Sequence, residues 1–251
     1  MAVVTPAVEV ILVSDCEAEG GWSGPAAVHL MEWELDRMRR FRKQEDQARF
    51  AAAHLLVRWA MTRRFGQRAL PLTLDQTERG KPFVTQPTHA RKTAFSLSHT
   101  RGLVGCALSS GESVGLDLES MARRLAVQEL LSEVLSPDEL SQWQLSLGVL
   151  AGDAGLERFL EIWTLKEALS KALGVGLGVA PSLWSFDLTS SPIRRLESMP
   201  DEFGDPTHWQ FERTRSADGH VVSLALPNPE SKPVSVQWTW MEGHELCAAM
   251  R

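Results

Sequence analysis

The sequence is poor in cysteine and has no surplus of positive charge, and both shortages narrow the class of protein. Its 251 residues include three cysteines, Cys16, Cys106 and Cys247, which lie far apart and form no C-x-x-C pair. This spacing offers no zinc framework and favours a reducing environment. The formal net charge of −6 argues against a general nucleic-acid coat.

Long hydrophobic runs are also absent. No apolar stretch reaches the roughly 20 residues that a membrane-spanning helix needs. The opening stretch MAVVTPAVEVILVS is apolar but carries neither a basic leader nor a small-residue cleavage site, so we expect a first strand there and no signal peptide. We therefore predict a cytoplasmic protein with no membrane partner and no nucleic-acid partner.

Hydrophobic periodicity and turn residues predict a mixed α+β chain. We expect a strand over 8–14, helices in two pieces over 26–65, and two short strands joined at 99–102. Helices followed by strands occur twice along the chain. This order predicts two similar α+β halves, residues 1–112 and residues 113–251.

The second half is predicted to begin with a strand over 113–118 and to continue with one or two helices over 125–147. Within this region, Ser136 and Glu139 have the spacing of a capping box. A long helix is expected over 156–173. Three strands in a meander then follow toward the C terminus.

The segment VGLDLES, at 114–120, places two carboxylates side by side. Successive side chains of a strand point to opposite faces, so Asp117 and Glu119 share one face while Leu116 and Leu118 share the other. Alone, this pattern is typical of the wet face of an edge strand. Two neighbouring carboxylates also suit Mg²⁺, which prefers oxygen ligands and keeps room for substrate phosphates.

The helix predicted over 156–173 supplies a third carboxylate. Trp163, Glu167 and Lys171 follow one another at intervals of four residues and so share one face. Glu167 and Lys171 are typical of an ordinary exposed ion pair. Combined with the D-x-E strand, however, Glu167 would complete one side of a Mg²⁺ site, and Lys171 would reach the same phosphates.

Groups that would bind a phosphate-bearing substrate are available elsewhere in the chain. Candidates are Lys81 in the turn GKP, Ser98 and His99 at a strand end, and Arg49 and Arg58 on the second predicted helix. Each also has an explanation without function: solvation for Lys81, structural hydrogen bonding for His99, and a helix-surface ion pair for Arg58.

A basic cluster precedes the second predicted helix. It consists of Arg37, Arg39, Arg40, Arg42 and Lys43. Such a cluster would bind a phosphate or an acidic protein, or would form a solvated helix face. The sequence favours neither interpretation.

Two motifs at a fixed separation resemble a known family. GLDLE at 115–119 follows the form G-[IV]-D-[IV]-E apart from its leucines, and WTLKEALSK at 163–171 has the form W-[ST]-x-K-E-[AS]-x-x-K. Together they resemble the paired signature of 4′-phosphopantetheinyl transferases of the surfactin-synthetase-activating type. Weaker family motifs match in order at 48–58, 80–82 and 96–100.

The resemblance implies a pseudo-twofold monomer of two α+β halves, each a small antiparallel sheet with helices, with the active site in the cleft between them. It implies transfer of the 4′-phosphopantetheine group of coenzyme A to a serine hydroxyl of an apo acyl, peptidyl or aryl carrier protein. Adenosine 3′,5′-bisphosphate would be released. Coenzyme A would be the co-substrate, and Mg²⁺, or alternatively Mn²⁺, the metal.

The resemblance also implies roles for individual residues. The metal would be held against the coenzyme A pyrophosphate by Asp117, Glu119 and Glu167, of which Asp117 and Glu167 would also be catalytic with Lys171. Lys171 would bind the pyrophosphate and offset charge on the leaving group. The nucleotide and its 3′-phosphate would be held by Arg49, Lys81, Ser98 and His99.

Some assignments stay open within the resemblance. The family usually has Asn where Ser96 stands. Arg37, Arg39 and Arg40 are alternatives for the 3′-phosphate. The proton acceptor would be Glu167 or a water molecule at the metal.

Two other functions are compatible with the same residues. A Mg²⁺-dependent nucleotide phosphohydrolase would use the D-x-E strand and the helical glutamate equally well. A non-catalytic module would use the basic helices at 37–68 to bind nucleic acid, with a steep dependence on salt. The net negative charge disfavours the second alternative.

Overall fold

The structure, a computed structural model, describes residues 8–14, 29–66, 71–111, 113–146 and 152–250. The predicted α+β class is confirmed. The strands are β1 (Val8–Ser14), β2 (Thr73–Gln76), β3 (Pro82–Gln86), β4 (Ala94–Thr100), β5 (Leu103–Ser109), β6 (Gly115–Ser120), β7 (Ser185–Phe186), β8 (Leu196–Ser198), β9 (Trp209–Arg215), β10 (His220–Pro227) and β11 (Val236–Glu242). The α-helices are α1 (Glu32–Arg39), α2 (Gln44–Phe65), α3 (Val127–Val134), α4 (Pro137–Ser146), α5 (Asp153–Leu173) and α6 (Gly243–Ala249).

The described residues divide into two units. Unit 1 comprises the chain up to residue 111 together with residues 235–250, and unit 2 is Ser113–Val234. The division falls next to the predicted boundary at 112, but the chain end joins unit 1, whereas the predicted second half extended to residue 251. The reason is that β11 pairs in parallel with β1 along its whole length.

The main sheet of unit 1 has the strand order β11-β1-β5-β4. β5 is antiparallel to both of its neighbours, as predicted for the hairpin that turns at 99–102. The parallel β1–β11 pair makes this sheet mixed, which differs from the small antiparallel sheet expected for each half. For the same reason β11 is not the third strand of a C-terminal meander, although β9 and β10 do form the predicted hairpin.

Helix α2 packs on the β4–β5 side of this sheet. It ends before Gly66, whose φ of 66° lies in the left-handed region that favours glycine. Its central residues, including Leu55, Leu56 and Met61, are fully buried and tie the helix to the unit 1 core. No helix in the described ranges is long and apolar enough to cross a membrane.

Unit 2 is built on the antiparallel sheet β6-β10-β9, and α5 packs across β6 and β10. The core face of α5 consists of apolar residues at helical spacing, such as Ile162, Leu165 and Leu169, which are all fully buried. The helix ends at Gly174 in the left-handed conformation, with φ of 70°. The long helix expected over 156–173 is thus confirmed, and it begins three residues earlier, at Asp153.

A buried ion pair fixes α5 to the rest of unit 2. The fully buried Lys166 ammonium donates to Glu139 of α4 at 2.5 Å and to the carbonyl oxygens of Val134 and Trp184 at 2.8 and 2.7 Å. The Glu139 carboxylate also accepts from the Ser136 backbone N–H at 2.7 Å, which confirms the predicted capping box. Removing one partner of such a pair is strongly destabilising, because the other charge stays buried.

Gly115 sets the separation between β6 and α5. A Cβ atom at this position would lie 1.8 Å from the Ala168 carbonyl oxygen and 2.6 Å from the Ala172 backbone nitrogen. Both obstacles are helix backbone, which cannot rotate away. Only glycine therefore allows α5 to cross the strand this closely.

We predict that Gly115→Ala destabilises the protein by about 3 kcal/mol or more, the upper range for overpacking a rigid core. Gly178→Ala is the matched control, since no atom lies within 4 Å of a Cβ built there. Urea unfolding of both variants measures the effect. Equal unfolding midpoints for the two variants would contradict the close approach.

Candidate active site

The two carboxylates of β6 lie on the face of the strand that α5 covers. Leu116 and Leu118 occupy the opposite face and are almost completely buried. Asp117 stands opposite Ser223 of β10, and the Ser223 hydroxyl lies 2.7 Å from that of Thr164 on α5. The alternation expected from the sequence therefore turns the acidic face of β6 toward the helix that carries Glu167.

Lys171 joins the last turns of α5 to β6. Its ammonium donates to Asp117 Oδ1 at 2.7 Å and to the backbone carbonyl of Leu116 at 3.0 Å. The Asp117 side chain is only 10% exposed, so this is a largely buried, charge-assisted contact. The structure thus brings together two of the predicted site residues directly.

Glu119 has a different cationic partner. Arg123, in the turn after β6, donates to Glu119 Oε1. This arginine was not singled out from the sequence, because spacing along a strand and a turn does not reveal which residue folds back. Asp117 and Glu119 therefore each face a separate positive charge.

Two of the three carboxylates, those of Glu119 and Glu167, have raised pKa values. Burial raises the pKa of Glu167, and the negative charges of Asp117 and Glu119 raise it further, against the opposing effect of Lys171. Burial and Asp117 likewise raise the pKa of Glu119, against the effect of Arg123 and Lys171. The cluster therefore carries more negative charge than its cations neutralise.

The donor set has the chemistry of a hard-cation site. All three side chains offer carboxylate oxygens, the ligands that Mg²⁺ prefers. Among the residues that the structure describes, no three His, Cys, Asp or Glu side chains form a ready metal-ligand group. Asp117 and Glu119 are instead paired with Lys171 and Arg123, so a bound cation would share or replace these contacts.

Lys81 lies in unit 1, in the turn between β2 and β3. The turn closes through Thr77, whose backbone N–H donates to the Lys81 carbonyl at 2.9 Å and whose hydroxyl accepts from the Lys81 N–H at 3.1 Å. Gly80 takes a φ of 81° within it. Burial lowers the pKa of the Lys81 ammonium to about 8. Lys81 is thus half-buried, in contrast to the solvated alternative considered from the sequence.

Ser98 and His99 stand near the end of β4, opposite Gly105 and Val104 of β5. Ser96 shares the Ser98 face of the strand and is likewise buried. Arg49 lies on α2, where it forms an ion pair with Asp46. The elements bearing these residues adjoin, since β4 contacts both β3 and α2.

Arg58 has a structural role. Its guanidinium is buried and donates to both carboxylate oxygens of Glu34, at 3.0 and 2.5 Å, and to the His54 carbonyl. Although burial would raise the pKa of Glu34, hydrogen bonds from His54 and Arg58 hold that pKa below its usual value. The surface ion pair considered for Arg58 is wrong, because the pair is buried.

Part of the basic cluster lines a cavity in unit 1. The cavity has a volume of about 540 Å³ and is lined by Trp33, Asp36, Arg37, Arg40, Phe41 and Gln76. Arg39 is instead exposed and pairs with Asp36 at 3.0 Å. Of the three arginines considered for phosphate binding, Arg37 and Arg40 therefore line the cavity, whereas Arg39 does not.

Lys166 was not assigned a role from the sequence, although its position on the apolar face of the predicted helix indicates one. It falls on the same face of the helix as Ile162, Leu165 and Leu169, so a charge at this position had to be buried and paired. Its fixed position places Glu167, the next residue, at the edge of that face. Lys166 is therefore a supporting residue of the site.

Ser113 belongs to a G-x-S-x-G sequence, GESVG at 111–115. In a nucleophile elbow this pattern forms a turn from a strand into a helix, whereas here it leads into β6. The Ser113 hydroxyl donates to the Ala172 carbonyl of α5. Ser113 is thus a structural contact between the strand and the helix.

Comparison with known sequences identifies the family of this chain. The 4′-phosphopantetheinyl transferase superfamily matches residues 113–225, and the N-terminal region of 4′-phosphopantetheinyl transferases matches residues 22–111. The chain is 30% identical to a phosphopantetheinyl transferase of Thraustochytrium over 78% of its length and 70% of the relative's. It is 33% identical to a 4′-phosphopantetheinyl transferase of Paxillus involutus over 70% and 69%, respectively.

A bacterial relative shows the same relationship at lower identity. A 4′-phosphopantetheinyl transferase of Bacillus subtilis is 26% identical over 78% of this chain and 81% of its own length. The matches therefore span both units and include all the residues of the acidic cluster. The chain belongs to the 4′-phosphopantetheinyl transferase superfamily, a class of transferase enzymes.

Proposed function

We propose that this protein transfers the 4′-phosphopantetheine group of coenzyme A to a serine hydroxyl of an apo carrier protein, as enzymes of the surfactin-synthetase-activating type do. Adenosine 3′,5′-bisphosphate is the second product. The observation that carries the proposal is the meeting of α5 and β6 at Gly115. This contact gathers Glu167 and Lys171 with Asp117 and Glu119.

The carboxylates of Asp117, Glu119 and Glu167 are the proposed ligands of Mg²⁺, with Mn²⁺ as the alternative ion. Support comes from their oxygen donors and from the raised pKa values of Glu119 and Glu167, which reflect negative charge crowded into a partly buried cluster. When bound, a divalent cation draws charge from the oxygens of a pyrophosphate. A cation would also relieve the repulsion within the cluster.

The transfer itself exchanges one phosphorus–oxygen bond for another. The serine oxygen bonds to the phosphorus that bears the pantetheine, and the bond from that phosphorus to the nucleotide 5′-phosphate oxygen breaks. The serine proton passes to a base, for which we propose Glu167, because its carboxylate lies in the acidic cluster beside the proposed position of the pyrophosphate. Lys171 offsets the negative charge that develops on the departing nucleotide.

The nucleotide is proposed to bind on unit 1 through Lys81, Ser98, His99 and Arg49. Arg37 and Arg40 are the proposed ligands of the 3′-phosphate, because both line the cavity beside α1. A guanidinium binds phosphate through paired N–H donors. Arg39 is less suited, since it is committed to Asp36 at the surface.

We also propose that the protein acts as a monomer in the cytoplasm. Cys106, in the described part of the chain, is a free cysteine, as is typical of a reducing compartment. Acyl, peptidyl and aryl carrier proteins all present a serine hydroxyl. The serine hydroxyl alone does not distinguish these carriers, so an assay against each type is needed to identify the one that is modified.

We predict that a cognate apo carrier gains the mass of one phosphopantetheine when incubated with the protein, coenzyme A and Mg²⁺, and gains nothing with EDTA. Glu167→Gln should lower the rate by at least about 100-fold, the scale of losing one charged catalytic group. Glu157→Gln, on the same helix but paired with Arg215, should keep the activity. Intact-mass spectrometry of the carrier measures the modification by the parent protein and by both variants.

Other results of this assay decide between the alternatives. Free phosphopantetheine without carrier modification would identify a phosphohydrolase. Full activity of Glu167→Gln would remove Glu167 from the site. Unchanged carriers across acyl, peptidyl and aryl types, with no binding of coenzyme A, would contradict the proposal altogether.

We predict that adenosine 3′,5′-bisphosphate binds about tenfold more weakly at pH 9 than at pH 7, because Lys81 loses its charge through a pKa of about 8. This ligand is preferred to coenzyme A because it carries no thiol that would change its protonation between pH 7 and pH 9. Lys81→Arg keeps its charge and should abolish the pH dependence.

Lys92→Arg, at an exposed position, is the control and should retain the pH dependence. Calorimetry at three pH values measures binding to the parent protein and to both variants. A pH dependence that persists in Lys81→Arg would exclude Lys81 from the nucleotide site.

A further inference from the structure

The turn after β6 folds Arg123 back onto the end of the strand. The Arg123 backbone N–H donates to the Ser120 carbonyl at 3.0 Å, and the Ala122 N–H donates to the Ser120 hydroxyl at 3.2 Å. The Met121 N–H is held by the Gly219 carbonyl at 3.2 Å. These contacts fix the turn, so the return of Arg123 to Glu119 is built into the backbone.

The two cations of the cluster are anchored differently. Lys171 is held by the carboxylate of Asp117 and by a backbone carbonyl, and 32% of its side chain is exposed. Arg123 is 49% exposed, whereas Glu119, which it contacts, is only 12% exposed. The guanidinium can therefore move into solvent at small cost, while the Glu119 carboxylate stays in place.

Arg123 and a divalent cation would compete for the same carboxylate. A positive charge in contact with a ligand oxygen weakens the attraction of that oxygen for another cation. The cluster has three carboxylates and two basic side chains, so departure of Arg123 doubles its net negative charge from one to two.

We propose that Arg123 is a displaceable counter-ion of Glu119: it neutralises this carboxylate and turns outward when a divalent cation binds. This inference rests on the proposed role of Glu119 as a metal ligand. Arg123 would be a positioning residue that acts through Glu119. It would set the concentration of Mg²⁺ that the protein requires and leave the transfer step itself unchanged.

The test is Mn²⁺ binding to the full-length protein, followed by the electron paramagnetic resonance signal of free Mn²⁺. Arg123→Gln should tighten Mn²⁺ binding about two- to fivefold, the effect of removing a partly exposed ion pair. Arg124→Gln removes the same charge from the neighbouring exposed position and should leave binding unchanged. Arg123→Lys should restore affinity toward that of the parent protein. In turnover assays, Arg123→Gln should lower the Mg²⁺ requirement at constant kcat.

Glu119→Gln separates failure of this inference from failure of the proposed function. If Glu119→Gln loses Mn²⁺ but Arg123→Gln binds it no more tightly than the parent, the counter-ion role is wrong and the metal assignment stands. If Glu119→Gln binds Mn²⁺ normally, the metal assignment fails and the counter-ion role fails with it. Equal tightening by Arg124→Gln would show a general charge effect and would also overturn the inference.

Discussion

The close approach of α5 to β6 at Gly115 is the constraint on which the candidate site depends. A side chain at this position would collide with the helix backbone at Ala168, and the helix would have to move away from the strand. Glu167 and Lys171 lie on that part of the helix, and Asp117 begins the acidic face of the strand two residues after Gly115. The glycine of the GLDLE motif thus acts on the chemistry indirectly, by fixing the distance between two elements.

The acidic cluster opposes folding, and other interactions hold it in place. Burial and mutual repulsion raise the pKa values of Glu119 and Glu167, so both groups destabilise the folded protein when they are ionised at neutral pH. The apolar core face of α5 and the buried pair of Lys166 with Glu139 anchor the helix against this repulsion. Strain of this kind is common where a protein binds a charged ligand.

Local patterns in the sequence predict most of the secondary structure and the acidic face of β6. Alternation places Asp117 beside Glu119, and a capping box marks the start of α4, because both depend on neighbouring residues. The parallel pairing of β11 with β1 was missed, since it joins strands more than 200 residues apart and leaves no local signal. Arg123 was missed because its contact depends on the path of a turn, and solvation of Lys81 stayed open because its burial depends on tertiary packing.

The central claim is that Asp117, Glu119 and Glu167 together hold a divalent cation against the pyrophosphate of coenzyme A. The most direct measurement is an anomalous difference map from crystals grown with Mn²⁺ and coenzyme A. We expect one Mn²⁺ peak within about 2.0–2.4 Å of an oxygen of each of the three carboxylates and of the pyrophosphate. Bound coenzyme A with its Mn²⁺ away from these carboxylates would contradict the account.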